Sequence, residues 1–82
     1  MKKDDFPFIV DLHVLTIQQG YDKTLMFLKI HKMRGSKACR VITGRSGKMN
    51  KEFPDWLKGP SFKTLYYKVY QDFHKGSWTI HF

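Results

Sequence analysis

Asp11 and His13 interrupt an otherwise apolar stretch that runs from Phe8 to Leu15. On an extended chain, residues two apart project from one face, with roughly 7 Å between their Cα atoms. That is close enough to act on one ligand and on each other. A carboxylate beside an imidazole suits general acid–base chemistry, because imidazole as a class titrates near neutral pH and a carboxylate orients it or holds its charged form. The pair also has a plainer structural reading, in which the aspartate caps a nearby backbone amide and the histidine is hydrogen-bonded in the core. Either way partners are required, since burying ionisable groups unpaired costs on the order of several kcal/mol.

A second group follows thirty residues on, in the loop Thr43-Gly44-Arg45-Ser46-Gly47-Lys48. Two glycines let a backbone approach a ligand closely, and amides opening a helix favour an anion. Arg45 and Lys48 bring cationic charge directly. An ordinary strand-to-helix turn with solvated basic residues is the bland alternative. The imidazole histidines His31, His74 and His81 have no metal-ligand spacing with one another or with Cys39, so no metal site is expected from them.

The elements that must position these residues can be read from periodicity and punctuation. Residues 1–7 form a short polar arm ending at Pro7. Phe8 to Leu15 reads as a strand covered on both faces. Thr16 and Gln19 stand at capping-box spacing and open a helix from about Ile17 to Met33. Tyr21, Leu25 and Leu28 lie on one side, Phe27 and Ile30 widen the apolar face, and the helix is expected to be well buried. Gly35 is its stop.

Ala38 to Thr43 is a second apolar strand, and Met49 to Leu57 a short helix with Pro54 inside it, ended by Gly59-Pro60. Two alternating segments close the chain. Leu65, Tyr67 and Val69 share one face of the first, and Trp78, Ile80 and Phe82 one face of the second. Trp56 and Trp78 are expected in the core and Cys39 as a small buried hydrophobe. Tyr66 and Tyr70, opposite Tyr67, fit either helix packing or an exposed base-stacking surface.

The resulting order, β-α-β-α-β-β, predicts an α/β two-layer sandwich: a parallel crossover first, then two helices on one face of a four-stranded mixed sheet. Residues 8–82 make a single domain. If the first two strands are parallel neighbours, the Asp11/His13 pair and the glycine loop leave the sheet at the same end, where open α/β sheets tend to hold ligands.

Composition narrows the partners. Fifteen Lys and Arg against seven Asp and Glu give a net charge of +8 over 82 residues. Such a surface attracts polyanions through counterion release from phosphates. The basic residues are spread along the chain, unlike a polybasic membrane tail. With 41% hydrophobic and 16% aromatic residues, the chain is no disordered tail. No apolar run approaches the roughly 20 residues that span a bilayer. A strand-like segment follows the opening residues at once, leaving no room for a signal peptide, and there is one cysteine, so a cytoplasmic, reducing location is expected.

Four stretches resemble a known family. Asp11-Leu12-His13-Val14-Leu15-Thr16 is similar to the DLHGLT motif that opens Smr domains, the small MutS-related endonuclease domains. Ile42-Thr43-Gly44-Arg45-Ser46-Gly47 is similar to their second motif, usually TGxG or HGxG. Gly47-Lys48-Met49, with Phe53-Pro54-x-Trp56-Leu57, resembles the family's G-x-L-R-x-x-V-P-x-W-L helix. Gly76 to Phe82 resembles its closing strand. Three positions depart from the pattern: Val14 replaces the glycine after DLH, Ser46 stands at the second glycine of the second motif, and Asn50 takes the place of the usual helix arginine.

The resemblance implies a fold like that of the C-terminal domain of translation initiation factor 3. It also implies an endonuclease that cuts RNA, including messenger RNA at stalled or collided ribosomes, or nicks DNA. By the same resemblance Asp11, His13 and Arg45 carry catalysis, and Thr43, Gly44, Ser46, Gly47, Lys48 and Asn50 form the nucleic-acid contact. Cleavage of RNA through its own 2′-hydroxyl needs no cofactor; DNA nicking calls for an activated water and a divalent ion such as Mg2+ or Mn2+. The expected partners are RNA, DNA or both, with the ribosome as one platform, no membrane, and a monomeric state. Two other classes stay open: a catalytically silent module binding ribosomal RNA or branched DNA, and a protein-interaction domain for an acidic partner.

Overall fold

In the computed structural model, which describes residues 8–45, 47–73 and 75–82, the chain runs β1 (Ile9–Asp11), α1 (Ile17–Arg34), β2 (Ala38–Ile42), α2 (Lys48–Lys58), α3 (Pro60–Lys63), β3 (Lys68–Gln71) and β4 (Ser77–His81). The expected arm, residues 1–7, lies outside the described residues, as do Ser46 and His74.

The strands form one mixed sheet in the order β1-β2-β4-β3. β1 and β2 are parallel, with Asp11 opposite Ile42; β4 is antiparallel to both β2 and β3. A parallel pair needs a crossover connection, and α1 supplies it. Its start is set by Thr16, whose Oγ1 accepts the Gln19 amide at 3.1 Å while Gln19 Oε1 accepts the Thr16 amide at 3.0 Å. Its end is set by Gly35, at φ 77°. In that left-handed conformation the Gly35 and Ser36 amides fold back to the Lys32 and His31 carbonyls.

Side-chain alternation in the sheet decides where the core sits. Val10, Cys39, Val41 and Ile80 point to the helix layer and are buried there against Leu28, Phe53, Trp56 and Phe62. Each fully buried side chain of this kind contributes about 1.5–3 kcal/mol. Where α1 meets α2, a Cβ on Gly20 would meet the Met49 Sδ and Cε atoms at 2.8 Å, so the flexible end of that side chain would have to shift. Trp78 packs its ring 5.3 Å from that of Phe53. Both tryptophans therefore serve the core, as expected. So does Cys39, whose thiol burial pushes up to about 12, leaving it protonated and unreactive.

The opposite face of the sheet carries no helix, but it is not bare. Ser77 and Thr79 are buried on it because Asp72 folds over them, accepting hydrogen bonds from both hydroxyls, with Arg40 Nε 3.2 Å from the same carboxylate.

Several expectations need correction. β1 is three residues long, not eight, and only Val10 of it is buried; Ile9 is half exposed, because helices cover one side alone. α1 is less buried than its apolar content suggested: Leu28 is enclosed, while Met26, Ile30 and Met33 face outward. A single sheet face offers room for a narrow stripe only. α2, by contrast, matches the expected Met49–Leu57 to within one residue at each end, with Pro54 inside it and no amide there to give the Asn50 carbonyl one turn back. Gly59-Pro60 ends α2 but also starts α3, with proline at the first helical position, where no amide is needed. That short helix absorbs the stretch before β3. Leu65 consequently sits in a turn, and Tyr67 is exposed instead of sharing an inner face with Val69.

Candidate functional site

β1 stops at Asp11 for a local reason. The Asp11 carboxylate accepts the His13 backbone amide at 3.0 Å, an Asx-type turn that bends the chain away from the sheet. The last ladder bond runs from the Leu12 amide to the Ile42 carbonyl, 2.8 Å, and the Leu15 amide then closes the turn onto the Leu12 carbonyl. Asp11 and His13 are thus brought together by a turn, not by alternation along one strand. The result is tighter than a strand would allow: His13 Nδ1 lies 2.5 Å from Asp11 Oδ1.

The capping part of the structural reading is therefore real, since Asp11 does bind a backbone amide. The core-histidine part is not, because the His13 side chain is 54% exposed. The hydrogen bonds from the His13 ring and backbone hold the Asp11 carboxyl below its ordinary value. With Nδ1 committed to the carboxylate, Nε2 is the nitrogen left for a ligand. This is the arrangement that fixes a catalytic histidine's tautomer and orientation.

The glycine loop begins one ladder position away. The Thr43 and Gly44 amides both donate to the Gly76 carbonyl at 3.0 Å, which pins the loop to the start of β4. Gly44, at φ 89°, turns the chain outward, and Gly47, at φ 97°, caps α2 without any side-chain hydrogen bond. The loop is held from within by side chains. Trp78 Nε1 donates to Thr43 Oγ1 at 3.1 Å; the Thr43 hydroxyl reaches Asn50 Oδ1 at 3.2 Å; and Asn50 Nδ2 donates to the Arg45 carbonyl at 2.9 Å. Gln71 Nε2 adds a longer bond to Asn50 Oδ1, 3.4 Å.

These contacts divide the sequence-derived candidates. Asp11, His13, Gly44, Arg45, Gly47 and Lys48 stand on one rim, at the C-terminal ends of the parallel strands. Arg45, Gly47 and Lys48 are exposed there. Thr43 is buried and shapes the loop from behind; Asn50, half-buried, holds the Arg45 carbonyl through its amide and also lines the depression at the start of α2. Ser46 lies outside the described residues. A shallow depression of about 420 Å³ opens beside the α2 N-terminus, lined by Gly47, Lys48, Asn50 and Lys51. Its backbone amides and lysines are suited to an anion.

Two supporting residues escaped the sequence reading: Gln71, and Trp78 in its role as a donor. Both act across strands far apart in sequence, and no local spacing reports such a bond. Among the described residues no group of three or more His, Cys, Asp or Glu is arranged to hold a metal ion, and no helix is long and apolar enough to cross a membrane.

No protein-family model matches the chain, and no curated protein sequence matches it.

Proposed function

We propose that this chain is a nucleic-acid-binding endonuclease domain of the Smr kind, cleaving phosphodiester bonds in RNA or nicking DNA. One observation carries the reading: an exposed histidine, clamped by a carboxylate through its Nδ1, shares a sheet rim with a glycine-bearing, cationic loop. The basic surface and the four motif-like stretches support it. The β1-β2-β4-β3 sheet with helices on one face supports a fold like the C-terminal domain of translation initiation factor 3.

In the RNA reaction, the Asp11 carboxylate accepts a hydrogen bond from His13 Nδ1–H, the tautomer that turns the Nε2 lone pair outward. Nε2 takes the proton of the 2′-hydroxyl as that oxygen bonds to phosphorus. The bond to the 5′ oxygen then breaks; that oxygen takes a proton from solvent and leaves as a 5′-hydroxyl, a 2′,3′-cyclic phosphate remains, and Nε2 returns its proton to solvent. Arg45, Lys48 and the loop amides offset the charge that builds on the phosphate oxygens. In DNA nicking, a divalent ion at the exposed Asp11 carboxylate would supply the activated water.

The deciding experiment incubates wild type, His13→Ala and Arg45→Ala with labelled single-stranded RNA and with nicked or branched DNA, with and without EDTA. The reading expects cleavage by wild type and its loss in His13→Ala with binding retained. Cyclic-phosphate ends, and no cutting when the scissile sugar is 2′-deoxy, identify the RNA route. Binding without cleavage of any substrate identifies a silent module and overturns the enzyme. Nucleic-acid binding unchanged by Arg45→Ala argues against the loop as the contact.

A further inference from the structure

β3 runs in the same direction as β1 and β2, so its C-terminal end emerges at the rim that carries Asp11, His13 and the glycine loop. Along that edge strand and just beyond it, three aromatic side chains face solvent. Tyr67 is 80% exposed, Tyr70 45%, and Phe73 stands wholly clear of the protein. Single exposed hydrophobic residues are ordinary, but aromatic rings gathered along one edge mark a surface suited to a partner.

Tyr70 lies on the helix-free face. Its hydroxyl is 3.0 Å from His81 Nε2, its ring is 5.5 Å from that of His81, and Lys68 Nζ sits 5.7 Å from its ring centre. The ring is therefore held in place at its edge and flanked by a cation. The register sets Asp11, Ile42, Ser77 and Asp72 in one row across the sheet, so Phe73 stands about three strand spacings, or ~14 Å, from the Asp11/His13 pair.

Charge along this edge selects the partner. Lys68 lies on β3 and Lys75 in the turn after it, and from Lys68 to Lys75 the one acid is Asp72. That acid is turned inward onto Ser77, Thr79 and Arg40. Exposed aromatic rings interleaved with lysines, with the one carboxylate withdrawn, match a polyanion that also offers flat π-faces. A duplex hides those faces in its stack; an unpaired strand exposes them.

Building on the nucleic-acid reading above, we infer that Tyr70 and Phe73 form a stacking platform for unpaired bases, a few nucleotides from the phosphate held at the Asp11/His13 rim. The domain accordingly selects single-stranded over double-stranded nucleic acid. Stacking tolerates either sugar, so single-stranded RNA and DNA both occupy the platform.

The test measures fluorescence anisotropy of a labelled 20-nucleotide RNA, the DNA of the same sequence, and the corresponding duplexes. The proteins are wild type, Tyr70→Ala, Phe73→Ala and Phe73→Trp at matched salt, with folding checked by circular dichroism. Phe73 and Tyr70 lie outside the core cluster, so their variants are expected to fold. Wild type is expected to bind the single strands more tightly. Phe73→Ala and Tyr70→Ala should each weaken single-strand binding on the order of tenfold while leaving duplex binding within about twofold, and Phe73→Trp should restore it. If wild type binds single strands and the alanine variants bind them equally well, the platform is overturned and the nucleic-acid reading stands. Equal losses on single strands and duplexes also overturn it. Alanine variants that keep single-strand binding but lose self-association in sedimentation would reassign the aromatics to a protein interface. No binding of any probe by wild type overturns both readings.

Discussion

The indole Nε1–H of Trp78 donates to the Thr43 hydroxyl oxygen at 3.1 Å, joining the second residue of β4 to the first residue of the glycine loop. The same hydroxyl reaches Asn50 on α2, whose amide holds the Arg45 carbonyl. A residue that reads as core filler is thus also the post on which the loop hangs. Trp78→Phe keeps most of the packing against Phe53 and removes the donor. It should cost about 1–3 kcal/mol of stability, read as a lower urea midpoint at unchanged slope. It should also reduce cleavage by about tenfold through a misplaced Arg45, with substrate binding less affected. Wild-type cleavage by a destabilised variant would show that the loop needs no such support.

Asp11 carries a pH signature whose sign follows from its hydrogen bonds. The folded carboxyl is held below the ordinary value of 3.8 by the His13 ring and amide. The stabilisation is therefore present above that value and is lost as pH falls through the lower folded value. Because the group is exposed, solvent screening keeps the effect small. Thermal melts of wild type and Asp11→Asn should differ at pH 6 and converge as the solution is acidified below pH 4. A difference that persists in acid would assign the effect to the capping geometry alone. In cleavage, Asp11→Asn should lower the rate more than it lowers binding, since a neutral amide no longer offsets charge on the imidazole and can present its NH2 to Nδ1 in the wrong tautomer.

His31 gives the opposite kind of test, on stability alone. Its ring is buried between Phe8 and Phe27, with centroids at 4.3 Å and 4.5 Å, and its Nδ1 is 3.1 Å from Ser36 Oγ. Burial, aided by the charge of Arg34, lowers its pKa from 6.5. The neutral form belongs to the fold, so stability is full above 6.5 and falls as acidification protonates the unfolded chain first. Chemical denaturation of wild type should show a declining midpoint from pH 7 to pH 5. His31→Gln, which keeps a partner for Ser36 and does not titrate, should flatten that decline. An unchanged slope in the variant would place the acid sensitivity elsewhere.

Gly47 is constrained by backbone and not by space. At φ 97° and ψ −179° it occupies a region essentially closed to L-residues, yet a Cβ there would meet nothing within 4 Å. Gly47→Ala should therefore cost about 1–3 kcal/mol as strain and disturb the anion-facing start of α2. A synthetic chain carrying D-alanine at position 47, whose preferred backbone matches, should keep wild-type stability. If the D- and L-alanine chains melt together, backbone strain is not the reason for the glycine.

Much of this molecule is written in local pattern. The capping box at Thr16 and Gln19, the left-handed stop at Gly35 and the buried alternation of Cys39, Val41 and Ile80 are short-range signals, and the chain follows them. They suffice for the element order, the two-layer architecture and the rim on which Asp11, His13 and the loop meet. Tertiary structure decided what depends on distant partners. One sheet face received both long helices, so β1 and α1 are only half covered despite their apolar runs. Pro60 became a helix start because Phe62 found a place in the core. The tight Asp11–His13 contact arose from a turn that competes with strand pairing, and the Thr43 hydroxyl is held by Trp78 across the β2–β4 pair and by Asn50 from α2. Periodicity records which side of an element is apolar; it cannot record which apolar sides find partners, because those partners come from elements distant in the chain.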